Sequence, residues 1–295
     1  MAMASMNFIS LGHAQVHQQR LLAAQRSFEN AGIEEARTEA EILLAAALGI
    51  EWKELLAGEA PECTPAQDEV FRAWLMRRLD GEPIAYLEGR KGFYGLEFQV
   101  DSSVLIPRAD SECMVDAVLD FLEPSSSNWV ADLGTGSGCL LLSTLFNRPN
   151  LKGLAVDLSP GAIQLARQNA THLGLSNRTF FVRGSWLDGI AANSLHAILC
   201  NPPYVVPGEC LGPSVEDFEP PLALFTPHGD PYFEYRSVLA RAKTTLKPEG
   251  RLFLEVGDKR AHDVAQLGQG TGFRLVRIVK DLGGVERLIE LERSK

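Results

Sequence analysis

Asn201-Pro202-Pro203-Tyr204 follows His196-Ala197-Ile198-Leu199-Cys200, an apolar run that reads as a buried strand. Each proline fixes its own φ and pushes the residue before it into extended geometry. Asn201 is therefore held rigidly, with its side-chain carbonyl available as an acceptor. Pro202 has no N–H, so its carbonyl accepts with no competing donor beside it. Two converging acceptors are what a planar NH2 group requires, and Tyr204 supplies a ring on which that group can lie. A plain proline-rich turn is the competing reading, and the position directly after a buried strand weighs against it.

Two further groups sit where strands should end. Asp132-Leu133-Gly134-Thr135-Gly136-Ser137-Gly138 places glycines at alternate positions, which allows a tight turn and lets a ligand touch bare backbone. The spacing is not that of the G-x-G-x-x-G dinucleotide fingerprint, and an ordinary strand–helix turn would also explain it. Asp157 closes the next apolar run. A carboxylate there can accept from both hydroxyls of a ribose. Its competing role, a helix N-cap, is already filled by Ser159 with Pro160. Trp186 follows the third run, where its ring can lie against an adenine or simply fill the core.

The elements that position these residues alternate from Asn128 onward. Strands are expected at 129–133, 154–157, 180–182, 196–200 and 251–256, with helices near 138–147, 160–173 and 232–246 and a terminal strand pair at 273–279 and 286–292. Such alternation means βαβ units and a mostly parallel sheet, with ligands beyond the carboxyl ends of its strands. Residues 13–80 read as helices, with Leu21, Leu22 and Phe28 on one face and Ile42, Leu43, Ala46 and Ala47 on another. Thr64-Pro65 opens a helix that Asp80-Gly81 closes. A hairpin is expected from 93–100 and 104–107 around Asp101-Ser102-Ser103, and Asp110 as the cap of a helix through Leu122.

Composition bounds the function. The 295 residues carry 28 Lys+Arg against 38 Asp+Glu, a net charge of −10, which argues against a protein that coats nucleic acid. No apolar run approaches the ~20 residues that span a bilayer. The five cysteines form no CxxC pair, so neither a disulfide framework nor a zinc site is expected, and a reducing compartment fits. The first 28 residues contain Arg20 and Arg26 and no acid before Glu29, a composition shared with mitochondrial transit peptides, although arginine is sparse and the stretch from Gln15 reads as folded helix. His13 and His17 share a helical face without a third ligand and read as solvated. So do Glu29, Glu34, Glu35, Glu39 and Glu41. Glu255 and Asp258 read as loop and cap residues.

Taken together, the glycine loop, Asp157, Trp186 and Asn201-Pro202-Pro203-Tyr204 resemble a class I S-adenosylmethionine-dependent methyltransferase of the N-methylating type. Flanking segments narrow the resemblance to the HemK/PrmC family, the peptide chain release factor N5-glutamine methyltransferases. They are 81–89, Phe93-Tyr94-Gly95-Leu96, 105–112, Phe218-Glu219-Pro220, Leu222-Ala223-Leu224 and 280–287. Ala109 stands where that family usually has proline. The resemblance runs from about Gln19 to Leu291.

It implies a Rossmann-like, mostly parallel seven-stranded sheet behind a small helical domain. The expected division is a substrate-recognition domain at 1–90, a hairpin linker at 91–110 and a methyltransferase domain at 111–295. It further implies S-adenosylmethionine held by Gly134, Thr135, Gly136, Ser137, Gly138, Asp157, Trp186 and Asn201. The acceptor amide would lie on Asn201, Pro202, Pro203 and Tyr204, of which Asn201, Pro202 and Tyr204 carry the catalysis. The expected substrate is the glutamine of the Gly-Gly-Gln tip of class I release factors. The expected enzyme is a cytoplasmic monomer, or organellar if the leading residues act as a transit peptide, without metal, nucleic acid or membrane. Arg108 and Glu112 match the family motif with no role derived. Three other readings stand beside it: a ribosomal-protein glutamine methyltransferase, a DNA or RNA adenine-N6 methyltransferase, and a nucleotide-binding adaptor, which would not need Asn201-Pro202-Pro203-Tyr204.

Overall fold

The computed structural model describes residues 2–294. In chain order the helices and strands begin with α1 (Ala2–Asn30), α2 (Ala36–Leu48), α3 (Trp52–Leu56), α4 (Pro65–Leu79) and α5 (Ile84–Glu88). The hairpin β1 (Arg90–Phe93) and β2 (Leu96–Gln99), helix α6 (Glu112–Phe121), β3 (Trp129–Leu133), α7 (Cys139–Asn147), β4 (Lys152–Asp157), α8 (Pro160–His172), β5 (Thr179–Arg183) and β6 (Leu195–Cys200) follow. Two single turns, α9 (Pro213–Glu216) and α10 (Pro221–Leu224), lead to α11 (Phe233–Thr245), β7 (Leu246–Glu255), α12 (Ala261–Gly270), β8 (Phe273–Lys280) and β9 (Glu286–Arg293). The chain divides into two compact units, one of residues 1–89 with 213–218, the other of 90–212 with 219–295.

The first unit is helical around Leu21, Phe28, Leu43, Leu44, Phe71 and Leu87. Helix α4 starts with a reciprocal capping box: Thr64 Oγ1 accepts from the Gln67 N–H at 3.3 Å, and Gln67 Oε1 accepts from the Thr64 N–H at 3.0 Å. Several expectations fail here. Leu22 is exposed, and the buried stripe of α2 runs through Ala40, Leu43, Leu44 and Ala47. Glu41 is buried, paired with Arg37 at 2.5 Å and taking the Trp52 indole N–H at 3.2 Å. Glu39 pairs with Arg78 at 2.7 Å. Neither belongs to a solvated face, because arginines of the same unit draw the carboxylates inward. His17 is likewise buried, its Nε2 2.8 Å from the Pro61 carbonyl, while the side chain of His13 lies outside the described residues.

The second unit is built on a seven-stranded sheet of order β5-β4-β3-β6-β7-β9-β8. The strands β5, β4, β3, β6 and β7 are parallel; β9 runs antiparallel to both its neighbours. Chain order reverses between β3 and β6, the place where an open α/β sheet binds ligands. One face packs Tyr235, Val238 and Leu239 of α11 with Val264 of α12; the other packs Met114 and Val115 of α6 with Leu141 and Leu145 of α7. Helix α12 was not anticipated from the sequence.

The hairpin also differs from expectation. Its turn is Tyr94-Gly95, both at positive φ (51° and 73°), so β1 and β2 pair in the register Phe93 to Leu96. Residues 104–107 form no strand; Val104, Leu105 and Pro107 line a cavity instead. Asp110 caps nothing. It lies in a 3-10 turn ahead of α6 and pairs with Arg287 at 3.3 Å.

Candidate active site

A cavity of about 650 Å³ opens beyond the carboxyl ends of β3, β4, β5 and β6, within the range of small-ligand sites. Gly134, Thr135, Gly136, Ser137, Asp157, Trp186, Asn201 and Pro203 all line it; Gly138, Pro202 and Tyr204 do not. Residues from four successive strand ends are thus brought together.

The glycine loop is fixed by its own backbone. Gly134 and Thr135 donate to the Val156 carbonyl at 2.9 and 3.0 Å, and Gly138 donates to Thr135 at 2.8 Å. Gly134 and Gly136 stand at φ +70° and +54°, where a side chain is strained, and a Cβ on Gly134 would point at the Trp186 ring 3.6 Å away. Asp157 ties the loop to β4: Oδ2 accepts from the Gly136 N–H at 3.0 Å and Oδ1 from the Ser159 N–H at 2.9 Å. Each carboxylate oxygen keeps a further lone pair for a ligand. Ser159 Oγ caps α8 by accepting from Ala162 at 3.2 Å, which leaves Asp157 out of that job. Trp186, at φ 46°, donates its indole N–H to Glu234 at 2.8 Å, so α11 pins the ring against the cavity. Glu234 had no signal in the sequence, because its partner lies far along the chain.

The acids Asp157 and Glu234 line the cavity. Burial raises the carboxyls of Asp157 and Glu234, and pushes those of Asp132 and Glu255 up to about 7. Asp132 is buried directly before the glycine loop; its Oδ2 accepts from Thr135 Oγ1 at 2.7 Å and its Oδ1 has no partner. A dinucleotide brings phosphates, which carboxylates at Asp157 and Glu234 would repel. A ligand with an ammonium and a sulfonium, an adenosine and no phosphate fits the acids, the bare backbone and the tryptophan.

On the acceptor side, Pro202 is buried, and Val205, directly after the motif, bridges to Phe225. The Arg260 guanidinium donates to the Tyr204 carbonyl and pairs with Glu209 at 2.6 Å. Gly257 makes room for the Tyr204 ring: a Cβ there would come within 3.0 Å of it. Burial raises the Tyr204 phenol to about 12, so it stays neutral. Glu255 was read as a loop residue. It is 3% exposed and accepts from the Ser111 hydroxyl, and the Asn201 side chain works against the rise that burial gives its carboxyl. Arg108 lines the cavity and pairs with buried Glu219, which also accepts from the Ile106 N–H at 3.0 Å. Glu112 accepts from the Tyr94 N–H at 2.7 Å and so tethers the hairpin turn. Among the described residues no group of three or more His, Cys, Asp or Glu side chains could hold a metal ion.

The sheet order, the glycine loop and the acidic strand end define a class I methyltransferase fold. The PrmC N-terminal domain matches residues 19–89, and the methyltransferase small domain matches 112–214. A methyltransferase of Pyrococcus furiosus shares the fold at a TM-score of 0.51 and 17% identity, over 76% of this chain and 99% of that one. The release factor glutamine methyltransferase of Moorella thermoacetica is 37% identical, over 91% of this chain and 95% of its own length. That of Nitratidesulfovibrio vulgaris is 35% identical over 98% of this chain and 99% of its own. The chain belongs to the release factor glutamine methyltransferase family.

Proposed function

We propose that this chain transfers a methyl group from S-adenosylmethionine to the side-chain amide nitrogen of the glutamine in the Gly-Gly-Gln tip of class I peptide chain release factors. The observation that carries the reading is Asn201-Pro202-Pro203-Tyr204 at the end of β6, with Asn201 and Pro203 in one cavity with the glycine loop and Asp157. Bound S-adenosylmethionine supplies a methyl group activated by the sulfonium charge. Gly134, Thr135, Gly136 and Ser137 would offer it backbone, Asp157 would take the ribose hydroxyls, and Trp186 would lie on the adenine. An amide nitrogen is a poor nucleophile because its lone pair is delocalised. Asn201 Oδ1 and the Pro202 carbonyl accept its two hydrogens and favour the nitrogen as it gains positive charge. Pro203 and the Tyr204 ring hold the amide in line for attack. The proton leaves afterwards, so no strong general base is needed before attack.

The helical unit at residues 1–89 supplies the recognition of the release factor beyond the tip. The enzyme works as a monomer in the cytoplasm, needs no nucleic acid or membrane, and uses no metal. Transfer of labelled methyl from S-adenosylmethionine, with intact release factor, ribosomal protein and DNA offered as acceptors, tests the reading. Label in the release factor glutamine is expected; label only in the ribosomal protein or the DNA overturns it.

A further inference from the structure

Asn201 is an amide, and an amide has two ends. Clamping an acceptor NH2 requires the oxygen toward the site; with the amide reversed, donor would face donor. Nothing in Asn201-Pro202-Pro203-Tyr204 itself selects between the two, since Pro202 fixes the backbone and not the side-chain torsion. The selection comes from β7. In the parallel register Cys200 of β6 faces Leu254 of β7, and the next positions along are Asn201 and Glu255. The register continued by one position sets the two side by side, with Asn201 lining the cavity and Glu255 outside its lining. Glu255 is 3% exposed, and its own backbone carbonyl is tied by the Tyr235 hydroxyl at 3.1 Å. Its Oε2 takes the Ser111 hydroxyl. An ionised carboxylate has no hydrogen to give, so the Asn201 end that bonds it is the NH2.

We infer that Glu255 is a positioning residue for methyl transfer: with Ser111 holding it, its carboxylate takes the Asn201 NH2 and so turns the Asn201 carbonyl oxygen toward the acceptor amide. This rests on the function proposed above. Glu255 touches neither methyl donor nor acceptor and acts through Asn201 alone. Three elements remote in sequence meet to set one torsion: the 3-10 turn at Ser111, the end of β6 and the end of β7. A glutamine at the same position can do the same work, accepting from Asn201 through its oxygen and giving its NH2 to the Ser111 hydroxyl.

The test is steady-state methylation of intact release factor by the full chain at about pH 8, above the value of about 7 at which this carboxyl ionises. Wild type, E255A, E255M, E255Q, N201A and the double variant E255A/N201A are compared, with S-adenosylhomocysteine binding measured by calorimetry. A wild-type chain that labels no release factor removes the proposed function itself, before Glu255 is at issue. Given wild-type activity, E255A and E255M are expected to lose about ten-fold or more in kcat, with S-adenosylhomocysteine affinity changed by less than about two-fold. E255Q recovers most of that loss. Because Glu255 acts through Asn201, adding E255A to N201A costs less than about two-fold more. The methionine variant fills the volume of the glutamate, so it reads the same loss should the alanine variant fail to fold. A kcat within about two-fold of wild type in E255M, or losses that multiply in the double variant, overturns the inference.

Discussion

At the scale of single residues, the proposed reaction separates cofactor contacts from acceptor contacts, and variants should divide the same way. Asp157 is the acid at the end of β4, held by the Gly136 and Ser159 N–H groups. Replacing it by alanine would remove the acceptor proposed for two ribose hydroxyls and free the glycine loop. Each charged hydrogen bond lost costs about 1.5–3 kcal/mol, so S-adenosylhomocysteine affinity by calorimetry should fall about ten-fold or more. Unchanged affinity takes Asp157 out of the site. Asn201→Ala should behave in the opposite way: affinity for the cofactor product nearly intact, turnover down by about two orders of magnitude, as when one preorganised transition-state hydrogen bond is removed. Turnover near wild type would refute the amide clamp. That Asp157 and Asn201 share one cavity was legible in the sequence because their settings are local. Proline geometry and alternate glycines act on their immediate neighbours. Glu234, Glu255 and Arg260 were not legible. Each reaches its partner, Trp186, Asn201 or Tyr204, across a distance in sequence that no local pattern records.

At the scale of elements, the sheet was readable because parallel strands buried on both faces leave continuous apolar runs, as in Trp129–Leu133 and Leu195–Cys200. The antiparallel edge, expected at 273–279 and 286–292, was equally legible although it carries charge inside. Glu290 on β9 is fully buried, and both Arg251 on β7 and Arg277 on β8 pair with it, the latter at 2.6 Å. One carboxylate therefore joins three adjacent strands. Glu290→Ala leaves two guanidiniums without their shared partner, and removing one member of a buried pair costs 3–5 kcal/mol in general. Arg251 and Arg277 remain partly wet, which places the expected loss at the low end, about 3 kcal/mol by urea unfolding. A change below about 0.5 kcal/mol, the size of an ordinary surface substitution, would show that the triad does not tie the edge together. The hairpin, by contrast, was misplaced. Asp101-Ser102-Ser103 carries strong turn chemistry, yet the strands close at Tyr94-Gly95, where two residues at positive φ match the twist of a two-residue loop.

At the scale of the whole molecule, the two units answer different needs of the proposed reaction. A sheet with a glycine loop and Asp157 suffices to bind a small cofactor, but choosing one glutamine in a folded protein requires more surface than a tripeptide tip offers. Stable protein recognition buries about 1,200 Å² or more in total. The helical unit has a hydrophobic core of its own and is the sizeable part of the chain that the cavity does not use. The cut that separates the two functions must respect the hairpin. Phe93 and Phe98 are buried in the same cluster as Met114 and Val115, and Val104, Leu105 and Pro107 line the cavity, so a fragment beginning at Ser111 would lose core and cavity wall together. A fragment beginning at Arg90 keeps both. We predict that this fragment, once circular dichroism shows it folded, binds S-adenosylhomocysteine within about ten-fold of the full chain. Its methylation of intact release factor should fall by at least about a hundred-fold, because about 3 kcal/mol or more of interface contact is missing from the encounter. A short peptide carrying the Gly-Gly-Gln tip, which never engages the helical unit, should be methylated equally slowly by fragment and full chain. Should the folded fragment methylate the intact factor as fast as the full chain does, recognition lies in the sheet unit and the helical unit has another task.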